Sequence, residues 1–160
     1  MNNHPLSVIL HNIRSTHNVG AMLRTADGAG AHKVYLCGCT PTPVDRFGRK
    51  RKDITKTSLG AEDMVSWEHV EEVLPLIAKL KTEGVRVVAV EQCAWSVRYT
   101  TLTLDQPTAL VFGEEVYGIP DEVLRACDLV AEIPMHGKKE SLNVSVAAGI
   151  ALYHVVGGRF

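Results

Sequence analysis

Residues 108–120 read TALVFGEEVYGIP and carry the clearest indication of the fold class. Residues 108–112 form a short apolar run with the length and composition of a buried strand. Two glycines, Gly113 and Gly118, then flank an acidic loop, and residues 120–125 begin with proline and predict a short helix. A buried strand that leads through a tight loop into a helix is typical of α/β domains.

The same pattern recurs on both sides of this stretch. Apolar runs predict further buried strands at residues 6–10, 33–37, 85–90 and 129–133, and a sixth, shorter strand at 64–67. Helical periods predict helices at residues 19–29, 68–80 and 143–156, and Pro75 should either kink the second of these or lie in its first turn. Strands that alternate with helices predict an α/β domain with a mostly parallel sheet.

The chain has 160 residues and a mass of 17.5 kDa, so we expect residues 1–160 to form one domain. A content of 46% hydrophobic and 22% charged residues excludes disordered, collagen-like and long coiled-coil proteins. No apolar run is long enough to span a membrane, and residues 1–5 do not resemble a signal peptide, so we expect a soluble, cytoplasmic protein. The four cysteines should be buried and reduced, and the scattered histidines predict no metal site.

Positive charge is concentrated in one segment, although the net charge of the chain is −1. Residues 46–56 contain six basic residues and one acid, which gives a local charge of +5. This cluster lies in residues 38–60, the longest stretch without a clear apolar period, which we expect to be a functional loop. It is interpreted either as a solvated loop without a partner or as a patch that contacts phosphates.

Three segments carry candidate functional groups. Asn18 is a good helix N-cap, and Gly20, four residues before Arg24, should clear space on the face from which that guanidinium projects toward an anion. Glu114 and Glu115 follow a strand at the edge where α/β sheets bind ligands; adjacent residues diverge, so we expect one to serve the site and the other to be solvated.

The third segment is the turn before the last helix. Either Ser141 or Asn143 should cap that helix, and the remaining polar groups should contact a ligand. The helix is apolar nearly all round, so it is either buried within one chain or forms a dimer interface. If the face of the helix that carries Ala148 is the interface, Ala148→Glu should disrupt the dimer.

In this order, the motifs resemble those of the SpoU (TrmH-like) family of SPOUT RNA methyltransferases. They comprise Asn18-x-Gly20-x-x-x-Arg24, Phe112-Gly-x-Glu115-x-x-Gly118, and Ile133-Pro-Met followed by Ser141-Leu-Asn143-Val-Ser-x-Ala147. The resemblance extends from about Leu6 to Tyr153. It implies a parallel sheet that ends in a deep trefoil knot, and a homodimer that transfers a methyl group from S-adenosylmethionine to a ribose 2′-hydroxyl of RNA. Short members often act on tRNA, so tRNA ranks ahead of rRNA.

The resemblance also implies roles for particular residues. The cofactor pocket would comprise Val90, Gly113, Ile133, Ser141 and Leu142, and the catalytic group would comprise Arg24, Asn18, Glu115, Ser141 and Asn143. The resemblance implies that this arginine is often the base that removes the 2′-hydroxyl proton, but a guanidinium stays protonated in proteins. We therefore prefer the hypothesis that Arg24 holds a phosphate and orients the hydroxyl. The basic cluster would bind RNA through Arg46, Arg49, Lys50, Arg51 and Lys52.

Two other functions are alternatives to RNA methylation. A nucleotide-binding oxidoreductase is disfavoured, because no Gly-x-Gly-x-x-Gly follows a predicted strand. A catalytically inactive, dimeric RNA-binding module of the same fold stays open as the alternative. Binding of S-adenosylmethionine without methyl transfer to RNA would favour that module.

Overall fold

The centre of the molecule is a seven-stranded sheet in which every neighbouring pair of strands is parallel. The computed structural model describes residues 3–157, so the outermost residues of the predicted 1–160 domain lie outside it. The strands run in the order β3-β2-β1-β6-β4-β7-β5 across the sheet. Their bounds are β1 Leu6–His11, β2 Lys33–Cys37, β3 Trp67–Val70, β4 Arg86–Val90, β5 Val97–Arg98, β6 Thr108–Phe112 and β7 Leu129–Glu132.

Five α-helices within residues 3–157 cover the two faces of this sheet. Their bounds are α1 Thr16–Gly28, α2 Lys52–Ser58, α3 Val73–Thr82, α4 Asp121–Ala126 and α5 Val144–Val156. One core lies between the sheet and α1, α2 and α5, and the other lies between the sheet and α3 and α4. Alternate residues of β6 enter the two cores, which explains why the whole strand is an uninterrupted apolar run.

The position of β6 determines where a ligand can bind. This strand pairs with β1 on one side and with β4 on the other, although β4 and β5 precede it in the chain. The loops that follow β4, β6 and β7 therefore leave the carboxyl edge of the sheet side by side. In open α/β sheets this edge is the usual ligand-binding position.

The strand and helix predicted between residues 64 and 80 differ in position from those in the structure. The predicted strand at 64–67 lies instead at Trp67–Val70, and the predicted helix at 68–80 begins only at Val73, with Pro75 in its first turn. Residues 67–70 pair with the free edge of β2, and Lys33 forms an ion pair of 3.0 Å with Glu68 across the two strands. Pairing with a neighbouring strand thus overrides the helical period of this segment.

The predicted loop at residues 38–60 contains one helix, α2, which packs closely on α1. A Cβ atom at Gly20 would lie 2.0 Å from the hydroxyl oxygen of Thr57 and 2.4 Å from the carbonyl oxygen of Ile54. Helix α2 therefore occupies the space beside Gly20. The sequence predicted a space open to an anion there, and that prediction is wrong. The helices are joined further by the hydroxyl of Thr57, which donates a hydrogen bond of 3.0 Å to the carbonyl of His17.

Helix α5 is apolar on two faces, but only one of them is buried in the chain. The buried stripe has helical spacing and consists of Ala148, Ala151, Leu152, Val155 and Val156. Ala148 is fully buried, so Ala148→Glu would disrupt the core of the chain itself and is not the test of a dimer. On the opposite face, the side chains of Val146 and Tyr153 are 49% and 52% exposed.

The cysteines are not all buried, since Cys39 is exposed. Burial raises the pKa values of the Cys37 and Cys127 thiols to about 12, so both are unreactive at neutral pH. Within residues 3–157, all four cysteines are free, and no three His, Cys, Asp or Glu side chains are grouped as a metal site requires. No helix in the same range is long and apolar enough to cross a membrane.

Candidate active site

A cavity of about 660 Å³ opens at the carboxyl edge of the sheet, beyond the ends of β4, β6 and β7. Three loops line it, at residues 90–92, 112–119 and 133–144. All five residues that the resemblance assigns to the cofactor pocket lie on its wall: Val90, Gly113, Ile133, Ser141 and Leu142. The structure therefore brings together residues that are separated by up to 52 positions in the sequence.

The carboxylate of Glu91 joins two of these loops. It accepts hydrogen bonds from the backbone N–H groups of Gln92 at 2.8 Å and Ile119 at 3.2 Å. A Cβ atom at Gly118 would lie only 2.3 Å from this carboxylate, and Gly118 has a φ of +71°, so both space and backbone conformation require glycine there. Glu91 is not part of the three sequence motifs, although its position directly after β4 is a usable signal.

The third loop is joined to the first by one side chain. The amide of Gln92 donates a hydrogen bond of 3.1 Å to the carbonyl oxygen of Glu140. Ser141, the next residue, lines the cavity, and its hydroxyl forms no hydrogen bond within residues 3–157. That hydroxyl is therefore available to a ligand.

Glu115 binds the N-terminal end of α1. Its carboxylate accepts hydrogen bonds from the backbone N–H groups of Arg14 at 3.2 Å and Ser15 at 3.1 Å, and from the side-chain amide of Asn18 at 3.1 Å. Burial by itself would raise the pKa of the Glu115 carboxyl, but these hydrogen bonds outweigh it and hold the pKa below the usual value. The negative charge also complements the positive end of the helix dipole.

Asn18 connects this carboxylate to the last helix. Its side-chain oxygen accepts a hydrogen bond of 3.3 Å from the amide of Asn143, and the oxygen of Asn143 caps α5 by accepting from the N–H of Ser145 at 2.9 Å. Asn18 is not the cap of α1, because the hydroxyl of Ser15 accepts from the N–H of Asn18. Glu115, Asn18 and Asn143 therefore form one network that joins all three sequence motifs.

The two adjacent glutamates point to different partners. Glu114 turns back on its own loop and accepts from the N–H groups of Val116 at 3.1 Å and Tyr117 at 2.9 Å. The sequence predicted that one of the pair would be solvated, but Glu114 is half-buried and shapes the loop that lines the cavity. Their divergence was predicted correctly.

Arg24 lies apart from this network. Its side chain is exposed and forms no hydrogen bond or ion pair within residues 3–157. Arg24 follows Asn18 by six positions on α1. This spacing places Arg24 about 9 Å further along the helix axis and rotates it by about a third of a turn away from the face of Asn18. The structure thus joins Asn18, Glu115 and Asn143, places Ser141 on the cavity wall, and leaves Arg24 free.

The basic cluster forms a tight hairpin at residues 43–51, which we call the basic hairpin, and continues into α2. Val44 and Lys50 form an antiparallel bridge across it. Three of the five predicted RNA contacts are paired with acids: Arg49 with Asp45 at 2.9 Å, Arg51 with Asp53 at 2.8 Å, and Lys50 with Asp63 and, at 3.4 Å, with Glu62. Arg46 and Lys52 form no ion pair with any described residue.

These partners change the electrostatic interpretation of the hairpin. Only Asp53 lies within residues 46–56; Asp45 directly precedes that segment, whereas Glu62 and Asp63 come close to Lys50 through folding. Six basic and four acidic side chains leave a net charge of +2 in place of the +5 that the sequence window indicates. The free positive charge is concentrated on Arg46, Lys52 and Lys56.

Known proteins resemble this chain in both sequence and fold. The sequence model of the SpoU rRNA methylase family matches residues 5–153. The 23S rRNA (guanosine-2′-O-)-methyltransferase RlmB of Ralstonia nicotianae is 36% identical over 152 residues, which is 95% of this chain and 58% of that protein. The chain therefore spans less than two thirds of the length of that relative.

Solved structures show the same fold. An AdoMet-bound rRNA methyltransferase from Sinorhizobium meliloti superposes with a TM-score of 0.84 at 31% identity, over 94% of this chain and 55% of that one. A structure that concerns 2-OH methylation of C/U34 on tRNA gives a TM-score of 0.79 at 26% identity, over 94% of this chain and 93% of that one. Motifs, fold and relatives agree, and the chain belongs to the SpoU rRNA methylase family.

Proposed function

We propose that this chain transfers a methyl group from S-adenosylmethionine to a ribose 2′-hydroxyl of RNA. One observation carries the proposal: the Glu115, Asn18 and Asn143 network stands beside a cavity lined by all five expected cofactor residues. Relatives in the same family are named as RNA 2′-O-methyltransferases. The cytoplasmic location and single-domain organisation expected from the sequence belong to this proposal.

The cavity fits a nucleoside cofactor. Its volume of about 660 Å³ lies within the range of roughly 300–1,000 Å³ that is usual for small-molecule sites. Apolar side chains such as Ile133 and Leu142 suit a purine ring, whereas Glu91 and Ser141 offer polar groups to ribose hydroxyls or to the amino-acid end. S-adenosylmethionine, when bound, supplies the electrophilic methyl group.

The chain's own residues would position the RNA. Arg24 would hold a phosphate with its planar donor fork and orient the reactive hydroxyl, while the hydroxyl proton leaves to water. Positioning of this kind can contribute on the order of 7–11 kcal/mol at best. Glu115 and Asn18 would act indirectly, because they hold the start of the helix that carries Arg24.

A homodimer would bring Arg24 to a cavity. Within one chain Arg24 lies apart from the network at the cavity, so a second copy would complete the site. The exposed apolar side chains of Val116, Tyr117 and Val146 support such an assembly, since residues of this kind are otherwise costly to leave in water. A stable interface should bury roughly 1,200–2,000 Å² or more in total.

Sedimentation at micromolar concentration tests the dimer. The wild type should sediment at about twice 17.5 kDa. Val146→Glu should shift it to the monomer and abolish methyl transfer, whereas Met64→Glu, which adds the same charge at an exposed methionine away from α5, should not. A monomeric wild type would contradict the proposal.

We rank tRNA ahead of rRNA as the substrate. The structure concerned with C/U34 methylation on tRNA is matched over 93% of its length, whereas the RlmB relative is matched over 58%. Mapping of the ribose methylations that disappear on gene deletion would identify the RNA. Loss confined to rRNA would reverse the ranking.

A trefoil knot in the C-terminal half is part of the same proposal. The insertion of β6 between β1 and β4 and the contacts from Glu91 to Ile119 and from Gln92 to Glu140 bring the three loops of such a knot together. Threaded chains are otherwise almost absent from proteins, so the family supplies the expectation. A chain trace in an experimental structure checks it.

Titration and transfer together test the enzymatic function. Calorimetric titration should show one site for S-adenosylmethionine per chain, and labelled methyl groups should then appear in RNA. Binding without transfer to any RNA fraction would indicate the inactive RNA-binding module. Absence of cofactor binding would contradict the enzymatic function.

A further inference from the structure

An exposed aromatic ring stands at the tip of the basic hairpin. The side chain of Phe47 is 67% exposed, and the guanidinium groups of Arg46 and Arg49 lie 4.8 Å and 5.0 Å from the centre of its ring. No function described so far uses this ring. A phenyl group flanked by two cations is suited to a ligand that is both flat and negatively charged.

The hairpin fixes the backbone that carries the ring. The carboxylate of Asp45 accepts hydrogen bonds from the backbone N–H groups of Phe47 at 2.8 Å and Arg49 at 3.0 Å, and from the guanidinium of Arg49 at 2.9 Å. The N–H of Gly48 donates to the carbonyl of Asp45 at 3.0 Å. Because this turn is ordered before a ligand binds, little backbone entropy is lost when a ligand covers the ring.

Beside the ring lies a groove of about 720 Å³, whose wall includes Thr40, Pro41, Phe47 and His69. It opens beyond the ends of β2 and β3, at the same carboxyl edge as the cofactor cavity beyond β4, β6 and β7. Two strand spacings, or about 10 Å, separate β2 from β6. One bound RNA strand can therefore reach both places.

We propose that Phe47 stacks on an unpaired base of the RNA, while Arg46 binds an adjacent phosphate. This inference rests on the proposed function, since it supplies a contact to the same RNA. Arg49 is held by Asp45, whereas no described acid neutralises Arg46, so the Arg46 guanidinium is the one that can leave the ring for a phosphate. The face that it uncovers is the flat apolar surface that every base can use. The site therefore favours single-stranded segments or loops of RNA over duplexes.

Phe47→Ala tests the stacking contact. The probe is a short single-stranded RNA that contains 2-aminopurine, whose fluorescence is quenched when the base stacks. Loss of one stack should weaken binding about 5- to 100-fold and remove the quenching, whereas Phe47→Trp should retain both. The salt dependence of binding should stay unchanged, because no charge is lost.

Trp95→Ala is the matched control, since Trp95 is an exposed aromatic residue with Arg125 at 4.6 Å from its ring but lies outside the groove. It should bind the probe as the wild type does. Equal binding by Phe47→Ala and the wild type, or an equal loss in Trp95→Ala, would overturn the proposal. A change in sedimentation of Phe47→Ala would instead assign the ring to a protein contact and would also overturn it.

The outcome separates this inference from the proposed function. Methyl transfer by the wild type with unchanged probe binding in Phe47→Ala would refute the stacking contact and leave the enzyme intact. Weakened binding in Phe47→Ala without any methyl transfer by the wild type would support the contact and refute the enzymatic function.

Discussion

The 113–119 loop and the basic hairpin lie at the same edge of the sheet, but their carboxylates have very different partners. Glu115 binds the N–H groups of Arg14 and Ser15, which are 101 and 100 residues away in the sequence. Asp45 binds Phe47 and Arg49, which are two and four residues away. The first carboxylate fixes one element relative to another, whereas the second shapes only its own turn.

Arg24 offers the largest test of this comparison, because it is carried by the helix that Glu115 holds. Arg24→Ala should reduce methyl transfer by at least about 100-fold through loss of positioning. Labelled methyl incorporation measures it, with sedimentation and cofactor titration as controls that should stay unchanged. Substantial residual transfer would show that α1 is held in place for some other purpose.

Arg24→Lys decides what the arginine does. A lysine cannot reproduce the planar fork, so activity should stay low from about pH 7 to about pH 10. If a neutral base were required, activity would instead rise with pH as the lysine amine, whose usual pKa is about 10.4, loses its proton. Such a rise would refute the positioning role.

Glu115 gives the next largest effect. Glu115→Ala should lower transfer about 10-fold or more and, because the carboxylate is largely exposed, lower the free energy of unfolding by only about 1 kcal/mol at neutral pH. The folded pKa lies below the usual value, so this stabilisation is complete above about pH 4.3 and is lost as the pH falls through the folded pKa. Urea unfolding of the wild type and Glu115→Ala, at neutral pH and at a pH below the folded pKa, measures the difference.

Glu115→Gln is the control for the charge, since it keeps the size of the side chain and one accepting oxygen. Its unfolding should lack the acid-dependent component that the wild type shows. An equal loss of stability with falling pH in both proteins would mean that another carboxyl group is responsible.

Asp45→Ala should have a smaller effect, confined to the hairpin. The global unfolding transition should stay unchanged, because the partners of Asp45 lie in the same exposed turn. Binding of single-stranded RNA should weaken, since the turn no longer fixes the ring of Phe47. A clear fall in the melting temperature would show that the hairpin supports the fold and would remove the contrast with the 113–119 loop.

The smallest effects distinguish free from paired cations. Arg46→Gln should reduce the steepness of the fall of log binding constant with log salt concentration by roughly 0.7–0.9, as expected for one lost phosphate contact. Arg49→Gln should lower it less, because its guanidinium is already paired with Asp45. Equal slopes for the two variants would contradict the assignment of the free charge.

Local patterns identified the buried strands but not the contacts between distant loops. The bounds of β2 and β6 were predicted correctly, since a strand buried on both faces is a continuous apolar run. The cap of α1 was assigned to Asn18 instead of Ser15, because both residue types suit a cap and lie three positions apart.

The electrostatics of the site could not be predicted from neighbouring residues. Lys50 pairs with Glu62 and Asp63, 12 and 13 residues further along the chain, and only the packing of α2 brings them together. The partner of Glu91, Ile119, is 28 residues away, so the position of Glu91 directly after β4 was the only local signal for it. The motifs of the family, in contrast, combine residues from three loops, and the structure places all five residues expected to bind the cofactor around one cavity.

The sequence distance between Glu115 and its partners also has a kinetic consequence. Contacts that close loops of about 100 residues carry a high entropic cost, and we expect them to form late in folding. The N-terminal end of α1 therefore gains its anchor only after β6 has entered the sheet between β1 and β4. A nascent chain that has not yet placed β6 has neither the anchor nor the cavity wall, so assembly of the site coincides with completion of the fold.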